Sequence, residues 1–146
     1  MRIYLDNCCF NRPYDDQNQF KIKIESEAKL IIQEKIKNKE LDLIWSFILD
    51  YENSRNIDKL KQHEIYQFEK YSKEYFFGYE TTLGGAEILI KMGFKKMDAL
   101  HLISAIQSKC NYFITTDKRI LNKDELISEL KIINPVEFVI LLGENK

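Results

Sequence analysis

This chain has too few cysteines for a disulfide framework, no apolar run long enough for a membrane span and no excess of basic charge. Cysteine occurs three times in 146 residues, and two of the three are adjacent (Cys8, Cys9 and Cys110). An odd count with an adjacent pair suits a reducing compartment. It also lacks the usual spacer of about two to four residues between zinc-binding cysteines. A zinc site joining them to His63 or His101 is therefore set aside, and the cysteines read as buried small apolar side chains. No apolar run approaches the roughly 18 residues that cross a bilayer. The opening MRIYLDNCC reads straight into a strand with no apolar targeting segment. A cytoplasmic protein with no membrane role is the expectation. The formal net charge of −1 offers no overall basic field, which counts mildly against a general nucleic-acid coat protein. A nuclease stays open, because an acidic centre offsets a local basic rim. There is no Gly-rich phosphate loop either. Gly84-Gly85 falls inside a helical stretch rather than after a strand, which excludes a dinucleotide-binding domain.

What is present suffices for one domain over residues 1–146, since two cores from a chain this short would each be marginal. Apolar residues make up 45% and charged residues 31% of the chain, with no repeat, low-complexity tract or linker. Arg2–Leu5 alternates as a strand and stops at Asp6, and Asn7–Asn18, with Pro13 and its Asn and Asp cluster, reads as a loop. Ile24, Ala28, Ile31, Ile32 and Ile36 recur at helical spacing over about Phe20–Asn38. Leu41–Trp45 is a second strand, and Ser46 caps a helix running to about Asn56. Leu60, Ile65, Phe68 and Tyr71 suggest one more helix within Asp58–Tyr79, with Tyr75–Phe77 a short strand or a loop. Thr81 or Thr82 opens a helix that stops at Gly93. Met97–Ser108 is a helix burying Leu100, Ile103, Ala105 and Ile106, and Tyr112–Thr116 is a strand followed by a turn at Asp117. A helix around Asp124–Leu130, a strand Lys131–Ile133 and a final helix after Asn134-Pro135 complete the chain, the last one started by an Asn cap, a proline at its first position and Glu137. Strands alternating with helices predict an α/β fold, three-layered α/β/α around a central, mostly parallel sheet.

That fold assigns meaning to the acids. Ligands bind parallel sheets at the carboxyl ends of the strands. Asp6 directly follows the first strand and Asp117 follows Tyr112–Thr116. Asp98 lies in the first turn of the helix leading into that strand, so it starts at the same edge. Glu52 lies about two turns into the helix after the second strand and reaches the edge from one side. Its neighbour Asp50 shares a face with Ser54 and reads as solvent-facing. Asp98 and Asp117 taken singly are ordinary helix-start acids, whereas Asp6 has no such structural reason. Carboxylates about 4 Å apart repel by roughly 4 kcal/mol at an effective dielectric near 20, so such a cluster raises its pKa values or recruits cations. Hard oxygen donors favour Mg²⁺ or Mn²⁺.

These segments also resemble a known family. YLDNCCFNRP, SFILDYENS, MGFKKMDALHLISAIQSKCNYFITTDKRIL and INPVEFV resemble successive motifs of PIN domains, and the resemblance spans essentially the whole chain. It implies metal binding and catalysis by Asp6, Glu52, Asp98 and Asp117, with Asn7, Thr115 and Thr116 in supporting positions. It further implies a Mg²⁺- or Mn²⁺-dependent ribonuclease, in small single-domain bacterial members often a VapC-like toxin held by an antitoxin protein; a homodimer is a separate expectation. Two features depart from the common pattern. Asn7 stands where many members have Thr or Ser, and Asn7–Asn18 carries paired cysteines and Asp15-Asp16.

Around the acids, Arg12, Lys95, Lys96, Lys118 and Arg119 are candidates for contacting RNA phosphates, as positive side chains next to such a centre do; solvated surface is the alternative. His101, on the same helix face as Asp98, reads as a hydrogen-bonded supporting or core histidine. The aromatics from Tyr66 to Tyr79 read as core and interface packing, with base stacking the alternative. The competing function is a non-catalytic PIN-fold binding or assembly module, which has no reason to keep a repulsive acid cluster.

Overall fold

The computed structural model describes residues 1–11 and 17–144. Five strands form one parallel sheet in the order β3-β2-β1-β4-β5: β1 (Arg2–Leu5), β2 (Asp42–Ser46), β3 (Glu74–Phe76), β4 (Tyr112–Ile114) and β5 (Lys131–Ile133). The helices among the described residues are α1 (Asn7–Asn11), α2 (Phe20–Lys37), α3 (Phe47–Ser54), α4 (Lys59–Tyr66), α5 (Thr82–Lys91), α6 (Lys96–Gln107), α7 (Lys118–Leu121) and α8 (Pro135–Glu144). The chain leaves β1 through α2 towards β2 and β3, then returns through α5 and α6 to β4 on the other side of β1. Right-handed crossovers in opposite directions put their helices on opposite faces of the sheet. Accordingly α2 packs with α8 and α5 packs with α6. The expected α/β architecture is the one observed, and its sheet is parallel throughout.

Alternation along the strands sorts the core. Tyr4 on β1 stacks on Phe113 of β4, with ring centroids 5.3 Å apart, and meets His101 of α6 edge-on. On the other face Trp45 of β2 packs against Phe10 of α1, and Tyr112 against Phe138 of α8. The close approach of α5 to α6 depends on Gly85, where an added Cβ would lie 2.5 Å from the Ile103 side chain. Gly93, at φ 107°, ends α5 in the left-handed region as its sequence position suggests. Asn134 Oδ1 accepts the Glu137 N–H at 2.8 Å and caps α8.

Several expectations are corrected. Asn7–Asn11 is a short helix rather than loop, held by the burial of Cys9 and Phe10 against the sheet. The helix expected from Leu60 to Tyr71 is α4 followed by a 3-10 turn at Gln67–Tyr71, and of the two readings of Tyr75–Phe77 the strand is observed, as β3 (Glu74–Phe76). Leu60 is exposed there, and Asp58 starts α4 by accepting the Leu60 and Lys61 N–H groups. Helix α3 stops at Ser54. The stretch after Lys123 forms only a 3-10 turn, Asp124–Leu126. Ile31 lies on the exposed side of α2, while Lys29 is buried instead.

Candidate active site

The reversal of strand order falls between β1 and β4, the place where open parallel sheets form a crevice. Asp6 leaves the end of β1 into that crevice and is 6% exposed. Its carboxylate accepts the Asn7 N–H on Oδ1 and the Thr115 hydroxyl on Oδ2, both at 2.8 Å. The same Thr115 Oγ1 accepts the Asp117 N–H at 3.1 Å, so one buried hydroxyl ties the two strand ends together. Thr115 thus reaches Asp6 through its side chain, and Asn7 through its backbone N–H. Thr116 is buried beside them, with its N–H 3.4 Å from Cys8 Sγ.

Cys8 corrects the reading of all three cysteines as core. It is only partly buried, and its thiol lies 3.5 Å from Asp6 Oδ2 and 3.4 Å from Thr115 Oγ1. Its place in the sequence, beside the buried Cys9 in an apolar-looking pair, hid this. Cys9 and Cys110 are buried as expected.

Asp117 starts α7, accepting the Arg119 N–H at 2.9 Å and the guanidinium at 3.1 and 3.3 Å. Partial burial pushes its carboxyl up, but the Arg119 hydrogen bonds outweigh this and hold it below the usual range. Asp98, in the first turn of α6, has no such partner. Burial, then the Asp6 and Asp117 charges, push its carboxyl up to about 6. On the opposite flank Glu52 hydrogen-bonds His101 Nε2, which also stands 4.0 Å from Asp6 Oδ1. Ligand atoms of Asp6, Glu52 and His101 all lie within 4.8 Å of one another.

Asp6 therefore links Glu52 on one side to Asp98 and Asp117 on the other. The half-buried Asp98 carboxyl, pushed up by burial and then by the Asp6 and Asp117 charges, stands in negative charge that a divalent cation would relieve, and oxygen donors suit Mg²⁺ or Mn²⁺. Asp6 and Glu52, with His101, stand close enough to share such an ion, whereas Asp98 and Asp117 lie outside that group. Neither the cysteines nor His63 joins the potential metal cluster among the described residues.

Asp50 does not face solvent as expected. It is half-buried and accepts the Trp45 indole N–H at 2.8 Å and the Tyr75 hydroxyl, a structural role on the far side of α3 from Glu52. Two clefts flank the acids. One, of about 470 Å³, is lined by Asn7, Glu52 and Arg55 among others. The second, of about 280 Å³, is lined by Asp98, Lys95, Arg119 and Lys123 among others. Lys96 and Lys118 are exposed and line neither of these two clefts, and Arg12 lies outside the described residues. Arg55 and Lys123 were missed by sequence reasoning. Each stands just past a helix end, with no motif to single it out.

No family model matches this chain, and no curated protein matches it. Among solved structures it is similar to a chain of the structure described as VapBC2 from Rickettsia felis bound to a DNA fragment from their promoter. The likeness covers 92% of this chain and 98% of that one, at a TM-score of 0.55 and 15% sequence identity. At this identity it establishes a shared fold. No helix among the described residues is long and apolar enough to cross a membrane.

Proposed function

We infer that this chain is a divalent-metal-dependent endoribonuclease of PIN type, with Asp6, Glu52, Asp98 and Asp117 as its metal-binding and catalytic residues. The observation that carries the reading is the meeting of Asp6 and Glu52 at the strand ends, with Asp98 pushed up to about 6 by burial and by the Asp6 and Asp117 charges. When bound, Mg²⁺ or Mn²⁺ would lower the pKa of a water and stabilise a leaving oxygen. The protein's own contribution is placement. Thr115 holds Asp6, Arg119 keeps Asp117 ionised, and Lys95, Arg119 and Lys123 present positive charge to RNA phosphates along the cleft beside Asp98. Lys96 and Lys118, exposed and outside both clefts, meet phosphates farther along the RNA.

Partners follow from the same reading. RNA is the substrate, a small antitoxin protein is the binding partner, the chain forms a homodimer, and all of this occurs in the cytoplasm as one domain spanning residues 1–146. The competing binding-module reading predicts no turnover. A fluorogenic single-stranded RNA assayed with Mg²⁺, with Mn²⁺ and with EDTA separates the two. Cleavage that needs the cation and falls at least 100-fold in both Asp98→Asn and Asp117→Asn supports the nuclease. Cleavage at the parent rate in both variants refutes the site.

A further inference from the structure

The interior behind the acids holds three polar side chains from three separate elements. Tyr4, Ser46 and His101 are each at most 1% exposed, on β1, β2 and α6. Burying a hydroxyl or an imidazole is unfavourable unless each polar atom finds a partner, and here they partner one another. Tyr4 Oη lies 2.6 Å from Ser46 Oγ and 2.6 Å from His101 Nδ1. The far nitrogen, Nε2, meets Glu52 and stands 4.0 Å from Asp6 Oδ1.

The direction of this chain follows from counting protons. Ser46 Oγ already accepts the Leu49 N–H, so its own proton goes to Tyr4 Oη. The Tyr4 proton then goes to His101 Nδ1, which leaves the ring proton on Nε2, aimed at Glu52. In the opposite direction the Ser46 proton has no acceptor among the described hydrogen bonds. One tautomer therefore satisfies every atom, and a donor ends up beside the acid on the cleft flank, which retains 29% of its side-chain exposure.

We propose that His101 is a positioning residue for Glu52, and that Tyr4 and Ser46 lock it in the Nε2–H tautomer that holds one Glu52 oxygen and leaves the other for the cation. The proposal rests on the metal-binding reading of Glu52. Without the donor, a glutamate on a short helix beside an open cleft samples rotamers that leave the crevice. Side chains that orient a metal-binding residue typically account for about 10- to 100-fold in metal affinity.

The test combines Mn²⁺ titration of purified protein with ¹⁵N NMR of the histidine rings in metal-free protein at pH 7.5. The parent should show His101 as the Nε2–H tautomer, and Tyr4→Phe, which removes only a hydroxyl, should give a mixed population. His101→Leu should weaken Mn²⁺ binding about 10- to 100-fold, and His101→Gln, which keeps an N–H at similar reach, should recover most of it. A merely structural network predicts equal Mn²⁺ affinity in all folded variants, and that result overturns the proposal. So does a parent tautomer protonated on Nδ1, or a pulsed-EPR signal of an imidazole nitrogen bound directly to Mn²⁺. Failure of the parent to bind Mn²⁺ overturns the metal reading and this role with it. Binding by the parent that every variant shares overturns this role alone.

Discussion

Lys29 offers a quantitative test of how the core next to the acids is built. Its side chain is fully buried in α2, with Nζ 4.8 Å from the ring centroids of both Phe10 and Phe68 and no hydrogen-bond acceptor among the described residues. Burial lowers its pKa from 10.5 to about 7, with Cys9 acting against the shift and Lys37 adding to it. The unfolded chain keeps this proton up to about pH 10.5, whereas the folded chain releases it near 7. Between those values the unfolded state binds more protons, so stability rises with pH. The penalty is full below about pH 7 and gone above 10.5. At 1.36 kcal/mol per pH unit the interval is worth about 5 kcal/mol, and two cation–π contacts return about 1–2 kcal/mol each. Lys29→Met keeps the stem packing and removes the charge. It should stabilise the protein at pH 7 by about 1–3 kcal/mol, after both effects, and should flatten the rise in stability from pH 7 to 10 relative to the parent. Urea denaturation followed by the fluorescence of the single, fully buried Trp45 measures both quantities. Parallel pH curves for the two proteins, or a less stable variant at pH 7, would refute the reasoning.

Asp98→Asn should raise stability in EDTA. A carboxyl whose folded pKa is raised contributes stability below its unfolded value near 4 that is lost as pH rises through about 6. For a half-exposed group the gain discounts to about 1 kcal/mol, or about 2–4 °C in a thermal melt. The same variant should lose the parent's Mn²⁺-induced rise in melting temperature, which at 100 times Kd corresponds to about 2.7 kcal/mol. Glu52→Gln should abolish cation-dependent cleavage, whereas Asp50→Asn should cleave near the parent rate yet unfold about 1–3 kcal/mol more easily, because Trp45 and Tyr75 lose a charged acceptor. Kinetics and denaturation on the same two preparations decide it. Removing the charges of Lys95 and Arg119 together should raise KM and flatten the dependence of KM on salt, with the second property read from a titration at 50 to 200 mM KCl.

Periodicity and capping made most elements legible from the chain alone. The spacing of Ile32 and Ile36 marks α2, Ser46 marks the start of α3, Gly93 the end of α5, and Asn134-Pro135 the start of α8, because these signals act within a turn or two of backbone. Asp6 was placed for the same reason, since it directly follows β1, whereas β4 stops at Ile114, short of the expected Thr116, and Asp117 stands at the start of α7. Two of the shortest were not: α1 read as loop, and β3 as either strand or loop. Helix α1 and strand β3 are too short to nucleate or to declare a period, and they exist because Phe10 and Phe76 find places in the core.

Local sequence thus determined the parallel α/β class and which acids stand at strand and helix ends. Only the tertiary structure decided which strands flank the crevice, that Asp50 is claimed by Tyr75 from 25 residues away, that Lys29 is buried between rings rather than solvated, and that His101 reaches Glu52 across 49 positions. Those outcomes depend on contacts between elements distant in the chain. A side chain's protonation and partners are set by what surrounds it after folding, which no window of sequence contains.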